Sequence, residues 1–382
     1  MKKVAIVLSG GGARGAYQMG VWKALRRLKI KYDIVTGTSI GSINGMLMVQ
    51  NDYYKAYKMW NTINYKLIFN KDYSLFKGKK LYFNYMKDVI SNKGLDTKEI
   101  EKMVRKLYNL KKFKDSKINY GLVTYNFSNL KPLMLKKENI DYINLPNYIV
   151  ASSSIAPFLK PKKIDDLKYV DGCYYENMPI NLAIELGATD IIAVNIGTFG
   201  RKQKVINKNV NIKYIIPKND ILTFLEFNSK DIKKGISFGY NDTLKIFGKL
   251  EGNKFSFRKN ELKKSYESYY NKYIELLDKC NYLKLFKMKK NYEFTYEKYV
   301  NLIEYIGTLF ELNESKIYRI DEFNNKILKK YDRIEASNSL SSSCGFIKYI
   351  INKIELKEKI FNIFDKDYTS AIYILMILGG IE

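Results

Sequence analysis

The sequence predicts an α/β fold followed by a helical region, and three observations carry that reading. The first apolar run, Val4-Ala5-Ile6-Val7-Leu8, ends in a stretch of glycines. Asp33-Ile34-Val35-Thr36 reads as a short buried strand that turns at once towards a helix start at Ser42 to Val49. From about residue 261 the pattern is helical and rich in Lys, Glu and Tyr. With 382 residues, 46% of them apolar, the chain can bury one large α/β domain and a smaller appended region. We expect a domain over residues 1–260, with a basic, aromatic lid or interfacial region at 51–115, and a helical region of unassigned role over 261–382.

The glycine stretch reads Ser9-Gly10-Gly11-Gly12-Ala13-Arg14-Gly15-Ala16-Tyr17. Consecutive glycines let backbone N–H groups approach an anionic group, and a helix beginning near Ala16 points its positive end there. That describes an oxyanion hole. Gly10, Gly12 and Gly15 also satisfy G-x-G-x-x-G, but a dinucleotide site needs an acidic residue at the carboxyl end of the next strand, and Asp33 stands at its beginning. No Gly-Lys-Ser/Thr follows, which excludes a Walker-type phosphate loop.

Gly37-Thr38-Ser39-Ile40-Gly41 has the G-x-S-x-G spacing of a nucleophile elbow and stands between a strand and a helix, as that turn requires. The usual serine hydrolase removes the serine proton with an imidazole. This chain has no histidine, so a nucleophilic Ser39 needs another base. Far downstream, Lys168-Tyr169-Val170-Asp171-Gly172-Cys173 puts an aspartate at the end of an apolar pair, ahead of the turn Asn177-Met178-Pro179. By itself Asp171-Gly172 also reads as an ordinary surface turn.

In this order the Gly-Gly-Gly-x-Arg-Gly loop, the elbow and the Asp-Gly turn resemble the patatin-like phospholipases. So do Ala151-Ser152-Ser153-Ser154-Ile155-Ala156-Pro157-Phe158 before the turn and Leu186 to Val194 after it, and the resemblance covers about residues 1–200. It implies a three-layer fold with a mostly parallel central sheet. It also implies a lipid acyl hydrolase of the phospholipase A or lysophospholipase type, working through a serine–aspartate dyad. Carried over by position, Ser39 is the nucleophile and Asp171 its base. Gly11, Gly12 and Ala13 supply oxyanion amides, Gly10, Arg14 and Gly15 support that loop, Gly37 and Gly41 shape the elbow, and Gly172 turns the chain after the base. Cys173 departs from the family, where glycine or alanine usually follows Asp-Gly. An acyltransferase using the same dyad and a non-catalytic lipid-binding protein are the competing readings.

The net charge is +27, with 8 arginines among the 66 basic residues, a lysine bias that an A/T-rich genome also produces. Residues 51–140 hold 20 Lys or Arg against 8 Asp or Glu, interleaved with aromatics as in Tyr73 to Phe83. Such a surface suits an anionic bilayer; a solvated helical face over an aromatic core fits the same residues. No helix-turn-helix, zinc spacing or RNA-binding signature is present, and the basic residues run the whole length, so nucleic acid is not an expected partner. The expected partners are a phospholipid or lysophospholipid substrate and an anionic membrane surface, with the C-terminal region open to an activator or a second copy of the chain.

Cys173, Cys280 and Cys344 have no metal-ligand spacing, and with no histidine and no calcium loop we expect reduced thiols, no metal and no cofactor. No run approaches the roughly 18 to 20 apolar residues that span a bilayer. Ala371 to Leu378 reads as a buried helix, and the apolar stretch after Met1-Lys2-Lys3 stops too soon for a secretory signal. The expected location is cytoplasmic and peripherally membrane-associated. Val210 to Pro217 reads as an edge strand, Asp231 to Leu250 as a helix and Ala336 to Ser343 as a loop.

Overall fold

The computed structural model describes residues 2–76, 78–197, 200–221, 223–279, 294–337, 350–351 and 365–378. It divides into two compact units, Met1–Thr243 and Leu244–Glu382. Among the described residues the first unit builds one eight-stranded sheet. Its strands are β1 (Val4–Leu8), β2 (Ile34–Thr38), β3 (Asn119–Asn126), β4 (Lys131–Lys136), β5 (Lys162–Ile164), β6 (Leu167–Asp171), β7 (Asp190–Val194) and β8 (Asn211–Ile215). The order is β5-β6-β3-β2-β1-β7-β8, with β4 paired to β3. From β3 to β8 every pairing is parallel, and β4, β5 and β6 join antiparallel. β8 is the edge strand read from Val210 to Pro217.

Parallel strands need crossover connections and are covered on both faces, which is why β1, β2 and β7 are buried almost throughout and β1 and β7 are nearly continuous apolar runs. β1 leads through α1 (Gly15–Arg27) to β2, and β2 turns directly into α2 (Ile40–Val49). The chain then adds α3 (Tyr53–Thr62), α4 (Tyr65–Phe69), α5 (Gly78–Ser91), α6 (Lys98–Leu107) and α7 (Leu110–Asp115), which make up the lysine-rich region, before entering β3. Later come α8 (Leu145–Ser152), α9 (Ile180–Glu185) and α10 (Ser229–Ile246).

Strand alternation decides which helix each side chain meets. Ala5 and Val7 of β1 and Ile34 of β2 pack with Ile180 and Ala183 of α9. Leu8 and Val35 point the other way, against Gly45 of α2. α2 and α9 therefore cover opposite faces of the sheet, and the unit has the three layers that the sequence implied.

The second unit has its own core. β10 (Ser256–Arg258) pairs antiparallel with β9 (Leu250–Glu251) and parallel with β11 (Ile317–Tyr318). This small sheet keeps residues 250–258 with the second unit, so the division falls inside α10 rather than at residue 260. Its helices are α11 (Glu261–Lys279), α12 (Tyr296–Leu309), α13 (Ile320–Ser337) and α14 (Asp365–Leu378). Phe257 meets Phe323 at 5.0 Å between ring centroids, and Tyr373 donates to Asn324 Oδ1 at 3.0 Å. Ala371 to Met376 of α14 are buried on every side, as expected for a helix apolar all round. Cys280, Cys344 and residues 338–343 of the serine-rich loop lie outside the described residues. Among the described residues, no helix is long and apolar enough to cross a membrane.

Candidate active site

The site begins with a change of partner along β3. Asn119 to Val123 of β3 pair with β2, and Thr124 to Asn126 continue along the same edge with β6, because β4 occupies the opposite edge. β2 runs parallel to β3 and β6 antiparallel, so their carboxyl ends approach each other and stop there. Thr38 stands beside Val123 and Asp171 beside Thr124. Ser39 and Asp171, far apart in sequence, are brought together by consecutive rungs of one ladder.

Ser39 takes φ 56° and ψ −129°, an unusual backbone for a residue with a side chain. The turn is tight enough that a Cβ at Gly37 would lie 2.3 Å from the Gly41 oxygen, and one at Gly41 2.3 Å from the Leu8 oxygen. Both glycines of the motif are thus required by close approach. Ser152 of α8 accepts from the Ser39 N–H at 2.9 Å and donates to the Val123 carbonyl at 2.6 Å, which holds the strained residue against β3. Behind the elbow, Asn44 donates to Gly15 O and to Gln18 Oε1, and accepts from the Trp60 indole at 3.0 Å. Gln18 in turn donates to Ser9 O at 2.7 Å, joining the elbow to the glycine loop.

Asp171 is 2% exposed. Burial pushes its carboxyl up to about 6, while the N–H of Cys173, bonded to Oδ1 at 2.8 Å, and the Ser39 hydroxyl against it favour the anion and limit the rise. The chain can turn after Asp171 only through glycine, since a Cβ at Gly172 would lie 2.2 Å from the Val123 oxygen. Cys173 is a free, buried thiol whose ionisation burial pushes well up, with the Asp171 charge acting in the same direction. The departure from the family pattern therefore brings a protonated, packed side chain to the site. It does not bring a second nucleophile.

The glycine loop lies beside Ser39. Gly10 donates its N–H to Asn177, to Oδ1 at 3.0 Å and to the carbonyl at 3.2 Å. Among the described residues the N–H groups of Gly11 and Gly12 have no hydrogen-bond partner. The third amide expected in the hole, that of Ala13, is engaged: it donates to the Phe224 carbonyl at 3.0 Å. Arg14 braces the loop by donating to Ile196 O at 3.1 Å and to Gly197 O, and Gly15 opens α1.

Ser39, Asp171 and the glycine loop meet at one cleft of about 770 Å³, counting the space open to solvent. Its other walls are apolar: Ile40 and Ile43 of α2, Ile68 and Phe69 of α4, Tyr85 of α5, Ile100 and Met103 of α6, and Phe224, Leu225 and Phe227 ahead of α10. A cleft with this largely apolar lining and few polar groups suits a hydrocarbon chain. Ser39, Asp171 and the glycine loop, singled out in the sequence, line this one cleft, whereas Ser152 as the partner of the Ser39 amide and the Phe224 segment as a wall left no such signal.

Residues 6–184 match the family model described as patatin-like phospholipase. The chain is 30% identical over 195 residues to lysophospholipase NTE1 of Candida albicans, covering 51% of this chain and 13% of that protein. It is 26% identical over 204 residues to patatin-like phospholipase domain-containing protein 7 of Rattus norvegicus, covering 51% of this chain and 14% of that one. The chain thus spans only a small part of either relative. Among solved structures, VipD from Legionella pneumophila aligns with a TM-score of 0.41 and 14% identity over 99% of this chain and 90% of that one, a likeness too slight to bear on function. Residues 6–184, just under half of the chain, thus form a patatin-like phospholipase domain.

Proposed function

We propose that the chain is a lipid acyl hydrolase of the phospholipase A or lysophospholipase kind, working peripherally at a membrane surface, with Ser39 as nucleophile and Asp171 as base. One observation carries the reading: a strained serine faces a buried carboxylate on an apolar cleft, beside two backbone N–H groups without a partner among the described residues. In the reaction, Asp171 takes the Ser39 proton as Oγ attacks the ester carbonyl. The carbonyl oxygen becomes an oxyanion held by the amides of Gly11 and Gly12. The intermediate collapses to an acyl-enzyme as the leaving alcohol takes the proton back from Asp171, and water, deprotonated by the same carboxylate, then frees the fatty acid. The raised proton affinity of Asp171 suits this role, since an ordinary carboxylate is too weak a base for a hydroxyl.

The test is release of fatty acid from phospholipid and lysophospholipid vesicles by the wild type and by Ser39→Ala. Release that disappears in Ser39→Ala supports the reading. Equal release by both proteins would sink it, and ester products formed with an added alcohol would make the chain an acyltransferase.

A further inference from the structure

The helix that walls the cleft has an outer face that folding does not explain. On α5, Leu81, Tyr85 and Val89 are buried, and Tyr85 lines the cleft. Lys79, Phe83, Lys87 and Ile90 follow one another at spacings of four, four and three, so they form one stripe on the opposite, exposed face. Phe83 is 69% exposed, Ile90 72%, and Leu75, just ahead of the helix, 89%. Isolated apolar residues on a surface are normal, but three large ones set among lysines on the outside of a cleft wall are not isolated.

Charge decides what this face fits. Residues 53–91 contain eight lysines against two acidic residues, Asp72 and Asp88. Asp88 is taken by Lys71 and by the Tyr73 hydroxyl. Lys79 and Lys80 make no ion pair among the described residues. A nucleic acid or an acidic protein would satisfy the lysines and leave Leu75, Phe83 and Ile90 in water. An anionic bilayer satisfies both, with phosphates at its surface and hydrocarbon just below.

We propose that the outer face of α5, with Leu75 at its entrance, docks on an anionic lipid bilayer, the lysines against the headgroups and Leu75, Phe83 and Ile90 below them. This deepens the reading of the chain as a lipid acyl hydrolase and rests on it for its purpose. One face of α5 then lies on the lipid while the other faces the cleft beside Ser39.

The experiment measures binding of full-length Ser39→Ala protein to sedimented vesicles, either phosphatidylcholine alone or an equal mixture with phosphatidylglycerol. We expect binding to the mixed vesicles that weakens as salt is raised, at least about tenfold weaker binding for Phe83→Asp/Ile90→Asp, and a comparable loss for Lys79→Glu/Lys80→Glu/Lys87→Glu. Leu75→Asp, outside the helix, gives the same reading should the double variant fail to fold. The proposal is overturned if the protein does not bind the mixed vesicles. It is equally overturned if the aspartate variants bind as tightly as the parent, and loss in the lysine variant alone would then mark a general polyanion site. Because Ser39→Ala reads binding without turnover, failure of the docking face is separate from failure of the hydrolase reading. Hydrolysis of a short, water-soluble ester by Phe83→Asp/Ile90→Asp in the otherwise wild-type chain should match wild type.

Discussion

The Ala13 N–H donates to the Phe224 carbonyl at 3.0 Å, tying the glycine loop to the far wall of the cleft. The same carbonyl explains Gly12, which has φ 54° and whose Cβ would lie 2.3 Å from the Phe224 oxygen. A side chain there must push the loop away from Phe224, and the neighbouring Gly11 and Gly12 amides move with it. We expect Gly12→Ala to fold and to lose about 10²-fold or more in kcat, the usual cost of a lost oxyanion donor, with a smaller change in KM. Steady-state kinetics beside a thermal melt would check this; wild-type kcat would remove the loop from the reaction.

The missing imidazole makes Asp171 visible in the pH profile. Burial pushes its carboxyl up to about 6, and on the proposed reading it must be ionised to accept the Ser39 proton, so kcat/KM should climb with pH through that value and level off above it. Asp171→Asn should remove the climb along with most of the turnover. A folded Asp171→Asn enzyme that hydrolyses at the wild-type rate would exclude this carboxylate as the base.

The same group should cost stability at neutral pH. Its proton affinity is higher folded than unfolded, so its contribution favours folding below the ordinary value of 3.8 and is lost as pH rises through about 6. Two units correspond to roughly 3 kcal/mol, as an order of magnitude. Asp171→Asn should therefore melt several degrees higher than wild type near pH 7.5, with the difference shrinking towards pH 4. Equal melting at both pH values would show that the carboxylate is better solvated than its burial implies.

The apolar walls of the cleft should set acyl-chain preference. Met103 lies on the cleft at α6, and Met103→Trp adds bulk without touching Ser39. We expect kcat/KM for long-chain substrates to drop about tenfold or more and that for short-chain esters to hold, the scale typical of a few methylenes in an apolar pocket. A uniform drop across chain lengths would place the acyl chain elsewhere.

Cys173 should be chemically quiet. Its thiol stays protonated because it is buried next to a carboxylate, so alkylating reagents at neutral pH should leave turnover intact, and Cys173→Ala should retain most of it. Inactivation of the wild type that Cys173→Ala escapes would show a reactive thiol at the site.

The residues legible in the sequence are those whose roles leave a backbone demand. Gly37, Gly41 and Gly172 are fixed by approaches of 2.2 to 2.3 Å to a carbonyl, and no other residue type fits there, so they mark the turn at Ser39 and the turn after Asp171 in any reading. β1, β2 and β8 were legible for a similar reason, since a short apolar run, an apolar start before a turn and an apolar alternation closed by Pro217 each mark a strand. Ser152 and Phe224 leave no such mark. One acts through a hydroxyl that many surface serines also carry, the other through a carbonyl that every residue has, and both act across long stretches of chain. The unit division was equally hidden, because β9, β10 and β11 have only two or three residues each.

The ladder along β3 has a consequence for how this site can change. The spacing of Ser39 and Asp171 is fixed by hydrogen bonds to neighbouring residues of one strand, and the helices α3 to α7 hang as a single excursion between β2 and β3. That excursion supplies the cleft wall and the lysine-bearing face, yet none of its residues holds the two strands in register. Apart from Trp60, which braces Asn44 behind the elbow, it can lengthen, shorten or be exchanged while Ser39 and Asp171 keep their distance, so on the proposed reading this architecture separates the evolution of what is recognised from the chemistry performed on it.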